Sequence, residues 1–375
     1  MADKKSQKIL FLVQLPPPIH GSSVINKSIK DSKIINSHFE TRYVDISPAK
    51  NMTDIGKFSL SKVSLTFRIF FRAISAYIKF KPNLVYLTLS PHGLAFYKDS
   101  FLSLVLKALG AKMVFHMHGK GIVSSASKSF LKRNFYQAVF RRVSVITLSP
   151  LLNSDIFGIA DMRMPINSVA NGINSQKLKK DSVQSDIVVF GFLSNFVPSK
   201  GLETIIHAAT DLHREGYTNI ECKFIGGFRS LDYEDHIRKM VAESPDVRFC
   251  FTGPLFGEEK IKELSNGDVF VYPTENDCFP LVVLEAMSLG LPVIASDQGA
   301  LPEIIDHGIT GEILKSNSPS ELAAVMKKFI DDKNYRLELG ANGKEKFLKK
   351  YTQEKFEKNL INALKEIVLT KPVIK

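Results

Sequence analysis

The chain has 375 residues, 44% hydrophobic and 23% charged, with 22 Gly and 17 Pro. These are globular values for two domains of roughly 150–200 residues each, and no apolar run approaches the ~18 residues needed to span a bilayer. Cys222, Cys250 and Cys278 form no CxxC pair, which argues against a disulfide framework or a cysteine zinc site and fits a reducing compartment. The net charge of +12 divides unevenly: residues 1–180 hold 27 Lys+Arg against 8 Asp+Glu, net +19, and residues 181–375 hold 23 against 30, net −7. A field of that kind steers an anionic partner towards the first half.

The chain opens with MADKKSQK followed by ILFLVQL, the basic-then-apolar order of a leader peptide. Gln14 interrupts the run, three prolines follow it and no small-residue cleavage site appears, so a first buried strand is expected. Strand-like runs in the first half lie at 8–15, 41–46, 83–89, 111–118 and 144–149, and in the second at 186–193, 221–227, 247–253, 269–274 and 292–296. Val/Ile/Phe-rich runs separated by amphipathic helices indicate parallel strands buried on both faces. Two such arrays imply an α/β chain of two doubly wound, Rossmann-like domains facing across a cleft. The polar stretch 174–186 marks the boundary, which gives domains 1–178 and 179–351.

Ligands of such sheets bind beyond the carboxyl ends of the strands, which directs attention to four loops. The first, PPPIHGSS (16–23), contains Gly21, which would let the backbone pass close to an anion at the next helix start; a plain tight turn fits equally well. The second, His116-Met117-His118-Gly119, puts His118 at a sheet edge, either as a satisfied loop histidine or as a ligand contact. His116 and His118 are expected to point to opposite faces, which argues against a shared metal. In the third, SNFVPSKG (194–201), Lys200 stands at a helix N-terminus, where the backbone is already positive. It is a solvated surface lysine or the partner of an anion.

The fourth loop joins the strand 269–274 to a helix opened by Pro280 and ended by Gly290 near Leu289. Asp277 precedes that helix and Glu285 lies more than one turn inside it. They act as a cap and a salt-bridge partner, or each meets a hydroxyl of a ligand whose pyrophosphate rests on the helix N-terminus.

These pieces, in this order, resemble glycosyltransferase family 4, retaining transferases with the two-domain GT-B fold. The segment DVFVYPTENDCFPLVVLEAMSLGLPVIASDQGALPEIIDHGITGEIL (268–314) is similar to that family's donor-binding signature. The segments IGG (225–227), FTG (251–253) and NGIN (171–174) fall where the family has similar ones. The resemblance implies that Asp277 meets a donor-sugar hydroxyl and Glu285 the nucleotide ribose. Phe279 and Leu281 would offer backbone N–H groups that Pro280 lacks. Lys200 would bind the diphosphate, His118 would lie near the donor sugar and Gly21 near the diphosphate, which makes His118, Asp277 and Lys200 the candidate catalytic residues. The resemblance also implies that a helix at 352–375 returns to the first domain. Three departures stand out: Asp277 is one methylene shorter than the family's Glu, about 1.5 Å of reach; Ser194-Asn195 replaces a Gly-Arg pair, removing a cation; and Cys278 and Pro280 replace glycines.

The expected function is then retaining, hexosyl-type transfer from a nucleotide sugar to a glycan acceptor. The nucleotide sugar is a co-substrate, and neither a cofactor nor a metal is expected, because the sequence contains no DxD triplet. Residues 60–79 carry Leu60, Val63, Phe67, Phe70, Phe71, Ile74 and Ile78 on one helical face and Arg68, Arg72 and Lys79 on another, with Leu65 and Ile69 near the basic face. That pattern fits packing on the sheet or contact with an anionic membrane surface. The second reading implies a lipid-linked acceptor, surface-polysaccharide synthesis and a cytoplasmic, peripheral location at the inner face of the membrane. The rivals are a non-catalytic sugar-nucleotide binder and a nucleic-acid-binding protein; the latter has charge alone in its favour, so no nucleic acid is expected.

Overall fold

The computed structural model describes residues 7–47, 60–176 and 186–370, with side chains from residue 64 onward in the second stretch. The opening MADKKS and most of the expected boundary, 177–185, lie outside the described residues. The chain divides into two compact units, Met1–Asn171 with Glu354–Lys375, and Gly172–Gln353.

In the first unit, strands β1 (Lys8–Val13), β2 (Glu40–Asp45), β3 (Leu84–Leu89), β4 (Met113–Met117), β5 (Val143–Thr147) and β6 (Ile166–Ser168) form a parallel sheet in the order β2-β1-β3-β4-β5-β6. The central strands are buried almost throughout, whereas edge strand β2 alternates between exposed and covered positions. Helices α1 (Gly21–Asp31) and α2 (Lys33–His38) join β1 to β2. Helices α3 (Leu60–Phe80), α4 (Gly93–Ala108), α5 (Ile122–Ala126) and α6 (Phe130–Phe140) follow the next strands, and α3, α4 and α6 share one core with β1, β3, β4 and β5. The order reverses between β1 and β3, so the loops after these two strands flank a switch point. There Gln14 Nε2 donates to Ser90 Oγ across 3.3 Å.

Helix α3 packs on the sheet with only part of its expected apolar stripe: Phe70 and Ile74 lie against the core, and the face is rotated from the rest. Ile69, Ala73 and Phe80 are buried in the core and Leu65 and Ala76 pack beside them, while Phe67, Phe71 and Ile78 are 71%, 76% and 57% exposed. Small residues decide this: Ala73 and Ala76 let the helix lie close on β1 and β2, which bulkier Phe67 and Phe71 would prevent. The outward face therefore carries Phe67, Phe71 and Ile78 together with Arg68, Arg72 and Lys79. Leu60 and Val63, assigned to the same stripe, lie outside the described side chains.

The second unit repeats the plan. Strands β7 (Val188–Leu193), β8 (Ile220–Ile225), β9 (Arg248–Gly253), β10 (Val269–Tyr272), β11 (Val293–Ser296) and β12 (Gly311–Leu314) form a parallel sheet in the order β12-β11-β10-β7-β8-β9. Its connecting helices are α7 (Leu202–Arg214), α8 (Leu231–Ala242), α9 (Gly257–Ser265), α10 (Leu281–Leu289) and the short α11 (Leu301–Ile304). Helices α12 (Pro319–Asp331) and α13 (Lys333–Lys350) follow β12. Helix α14 (Gln353–Leu369) belongs almost wholly to the first unit, where Glu366 accepts from Asn167 and the Lys112 ammonium donates to the Val368 carbonyl at 2.9 Å. In this sheet the order reverses between β7 and β10. No described helix is long and apolar enough to cross a membrane.

Candidate active site

The β7–β10 switch point gathers three loops, and two glycines let them touch. Gly201 has φ +80°, and a Cβ there would lie 2.1 Å from the Pro273 carbonyl oxygen, so the Lys200 turn presses directly on the end of β10. Gly226 has φ +148°, and its Cβ would lie 1.8 Å from the Ser194 carbonyl oxygen, which closes the end of β8 on the end of β7. Glycine alone tolerates both the conformations and the contacts.

With the loops so placed, Lys200 Nζ lies 2.6 Å from Asp277 Oδ2 and donates to the Asn276 carbonyl at 3.2 Å. The Tyr272 hydroxyl donates to the same Oδ2 at 2.7 Å, and the Cys278 N–H donates to Oδ1 at 2.8 Å. Burial, then the Asp277 charge, raises the Tyr272 phenol well above its usual range, so it stays a donor. Lys200 also lies 5.6 Å from the Tyr272 ring centroid. Lys200 is thus mostly covered and neutralised by the carboxylate it was expected to work beside, rather than a solvated surface charge. Charge-assisted bonds of this kind are short and strong, yet both partners keep an edge on solvent, so an anion and a hydroxyl can replace them.

Glu285 stands on α10 and accepts from Lys260 of α9 at 2.7 Å through Oε1, while its buried Oε2 has no hydrogen-bond partner. One oxygen is therefore a salt-bridge acceptor and the other a buried acceptor left unsatisfied. Pro280 is the N-cap of α10 rather than its first helical residue, and Leu281 begins the helix. Asp277 does not cap it: no side chain caps α10, and its first turn holds no acid. Phe279 is buried edge-on against Tyr351, with ring centroids 6.2 Å apart. Asn195, expected to mark a lost cation, accepts from Arg229 Nη2 at 2.8 Å, so a guanidinium reaches the loop from β8.

His118 and Gly21 belong to the first unit, at the ends of β4 and β1. The rings of His116 and His118 lie 4.1 Å apart, against the expectation that they diverge; positions two apart on a strand share a face. Both nitrogens of His118 and Nε2 of His116 are buried without a partner, and the Tyr86 hydroxyl meets His116 Nδ1. Burial, with nearby His20 adding to it, lowers the His118 pKa to about 3; burial, then His118, pushes His116 well below its usual value. Both imidazoles are neutral near pH 7. Among the described residues no group of three or more His, Cys, Asp or Glu is placed to hold a metal ion. Gly21 is the first residue of α1, capped by His20, and a Cβ there would meet open space, so close packing does not require glycine.

Tyr272, Lys260 and Arg229 escaped the sequence reading. Arg229 and Lys260 contact candidates 34 and 25 positions away and carry no local signal; Tyr272 meets Asp277 only five positions on, yet reads simply as a strand residue.

Residues 174–346 match the family model for glycosyl transferases, group 1. The chain is 25% identical over 299 residues to the sulfoquinovosyl transferase SQD2 of Arabidopsis thaliana, a match covering 76% of this chain and 57% of that protein. It is 25% identical over 197 residues to the capsular polysaccharide biosynthesis glycosyltransferase CapM of Staphylococcus aureus, covering 49% and 50%. The matches thus span little more than half the length of these relatives. Among solved structures, HepE of Anabaena in complex with UDP and glucose superposes with a TM-score of 0.72 at 18% identity, covering 96% of this chain and 100% of that one. The two six-stranded parallel sheets with flanking helices are those of the GT-B glycosyltransferase fold.

Proposed function

We propose that the protein is a retaining glycosyltransferase of the family 4 type, moving a hexosyl group from a nucleotide sugar to a glycan acceptor. The Lys200–Asp277–Tyr272 cluster at the switch point is the observation that carries this reading. On donor arrival Lys200 exchanges Asp277 for the diphosphate, and Asp277, still held by Tyr272, accepts from a sugar hydroxyl. Glu285 Oε2 accepts from the ribose, and the α10 N-terminus at Phe279–Leu281 faces phosphate.

In the transfer step the bond from the anomeric carbon to the leaving phosphate oxygen breaks and one to the acceptor oxygen forms on the same face. The acceptor proton passes to the leaving phosphate, and Lys200 with the helix N–H groups stabilises the charge that develops. His118 contributes a neutral imidazole with two unpartnered nitrogens, fitted to a hydroxyl rather than to proton abstraction at neutral pH. The reading includes no cofactor and no metal, so EDTA is expected to leave activity intact; a strict need for added Mg or Mn overturns that part.

The outward face of α3, where Phe67, Phe71 and Ile78 stand beside Arg68, Arg72 and Lys79, supports a peripheral place on an anionic membrane. A lipid-linked acceptor and a role in surface-polysaccharide synthesis at the cytoplasmic face follow from it, and the similarity to CapM points the same way. Transfer from UDP-, GDP-, ADP- and dTDP-sugars to a lipid-linked acceptor tests the whole reading. Binding of a donor without transfer or donor hydrolysis favours the alternative, a non-catalytic nucleotide-sugar-binding protein, for which the replacement of a cation by Asn195 is the supporting observation.

A further inference from the structure

The charges around the switch point of the second unit do not contribute equally to binding an anion. Lys200 is balanced by Asp277 at 2.6 Å, and Lys260 by Glu285 at 2.7 Å. Each pair is neutral as a unit, so neither draws a diphosphate from a distance. Arg229 differs. Its guanidinium is bonded to the neutral amide oxygen of Asn195 at 2.8 Å, and among the described residues no carboxylate pairs with it. Glu234, an acid in the first turn of the helix that follows, is already taken by Arg238.

The position of Arg229 is built rather than accidental. Its backbone N–H donates to the Phe196 carbonyl at 3.3 Å, and the Phe196 N–H donates to the Gly227 carbonyl at 2.9 Å, so the loops after β7 and β8 are laced together residue by residue. The missing Cβ of Gly226 permits that approach. Ser194, adjacent to Asn195, hydrogen-bonds Tyr272, which holds Asp277. Strand β7 lies between β8 and β10, so Arg229 from the β8 loop and Asp277 from the β10 loop approach the β7 loop, which bears Asn195 and Lys200, from opposite sides. One of the five N–H donors of the guanidinium goes to Asn195, which leaves a fork suited to two phosphate oxygens.

We infer that Arg229 is a second diphosphate-binding cation of this site beside Lys200, held in place by Asn195 as a positioning residue. The inference rests on the nucleotide-sugar reading above and adds to it a cation that no described carboxylate pairs with. Arg229 meets the incoming diphosphate first, and Lys200 joins once Asp277 turns to the sugar.

The test uses the full-length protein and calorimetric titration with UDP, GDP, ADP and dTDP, followed by the monophosphate of whichever base binds. Arg229→Gln is expected to weaken the diphosphate roughly tenfold, the effect of losing one charge-assisted contact, and the monophosphate less than about twofold. The same change should flatten the salt dependence of diphosphate binding. Because Arg229 is exposed, the melting temperature without ligand should stay at the wild-type value. Asn195→Arg placed in the Arg229→Gln background should restore most of the diphosphate affinity by returning a guanidinium to the same loop. Unchanged diphosphate affinity in Arg229→Gln overturns the inference, as does an equal loss for diphosphate and monophosphate. If none of the four diphosphates binds the wild-type protein, the nucleotide-sugar reading itself falls, and the inference with it.

Discussion

The carboxyl ends of the two sheets are built from opposite materials. In the first unit the end of β4 carries His116 and, just beyond it, His118, both buried, neutral and short of hydrogen-bond partners. In the second, Lys200 and Asp277 stand in the loops and Lys260 and Glu285 on α9 and α10, charged and already paired. Buried charge is tolerated only when matched, whereas a neutral imidazole can wait without a partner at a smaller cost. The second unit is therefore poised to exchange partners with a charged ligand, and the first to meet hydroxyls. The outer surfaces differ in the reverse sense, since the half with the neutral site carries +19 and the half with the charged site −7. Charge at the binding loops and charge on the body serve separate purposes.

The contrast is broken most forcefully at Asp277. Asp277→Ala is expected to lower sugar transfer by about 100-fold or more, the scale of losing one preorganised contact to the reacting sugar. Nucleoside diphosphate affinity should be kept or tightened, because Lys200 is released. Parallel losses of transfer and affinity in steady-state kinetics would mean that Asp277 serves only to hold Lys200.

Next in size is the glycine contact of the second switch point. Gly226→Ala should cost about 2–3 kcal/mol in urea denaturation, because a Cβ 1.8 Å from a carbonyl at positive φ forces the loops apart. Gly21→Ala, facing open space in the first turn of α1, should be neutral or stabilising by up to about 1 kcal/mol. Similar costs at both positions would remove the distinction between a packed site and an open one. Glu285→Ala should weaken nucleotide binding about tenfold, as loss of a single charged acceptor does, with kcat altered less than KM. An unchanged KM would reduce Glu285 to the partner of Lys260.

A smaller effect is expected on the basic surface of the first unit. Arg72→Gln should reduce flotation with phosphatidylglycerol vesicles about fivefold, on the order of 1 kcal/mol per cation, and leave phosphatidylcholine binding unchanged. Equal binding of the wild-type protein to both lipids, or to neither, sinks the membrane assignment. Least visible near neutrality is the titration of His118. Its folded pKa, about 3, lies below the ordinary 6.5, so its contribution to stability is full above pH 6.5 and is lost as pH falls from there towards 3. His118→Leu should make the acid limb of a stability-versus-pH curve less steep; an unaltered limb would mean the imidazole is not held neutral.

Local pattern carried much of this molecule. Runs of Val, Ile and Phe were legible as buried parallel strands because a strand covered on both faces must be apolar at successive positions. The two strands not foreseen, β6 and β12, are a three-residue INS and a four-residue GEIL at sheet edges, too short and too polar to show a period. The loop at Asp277 and the helix holding Glu285 were likewise visible as local sequence, to within a residue at Pro280. Partnership was not. Lys200 meets Asp277 across 77 positions, Asn195 meets Arg229 across 34 and Glu285 meets Lys260 across 25. Such pairs depend on which strands lie side by side, and spacing along the chain does not encode that. The same holds for α3, where the apolar stripe was plain, but the close approach allowed by Ala73 and Ala76 turned Phe67 and Phe71 outward. Sequence alone determined the elements and the loops that bear chemistry. The sheet order and the fit of helix to sheet decided which side chains face one another, because both are set by packing across the whole unit rather than by any stretch of it.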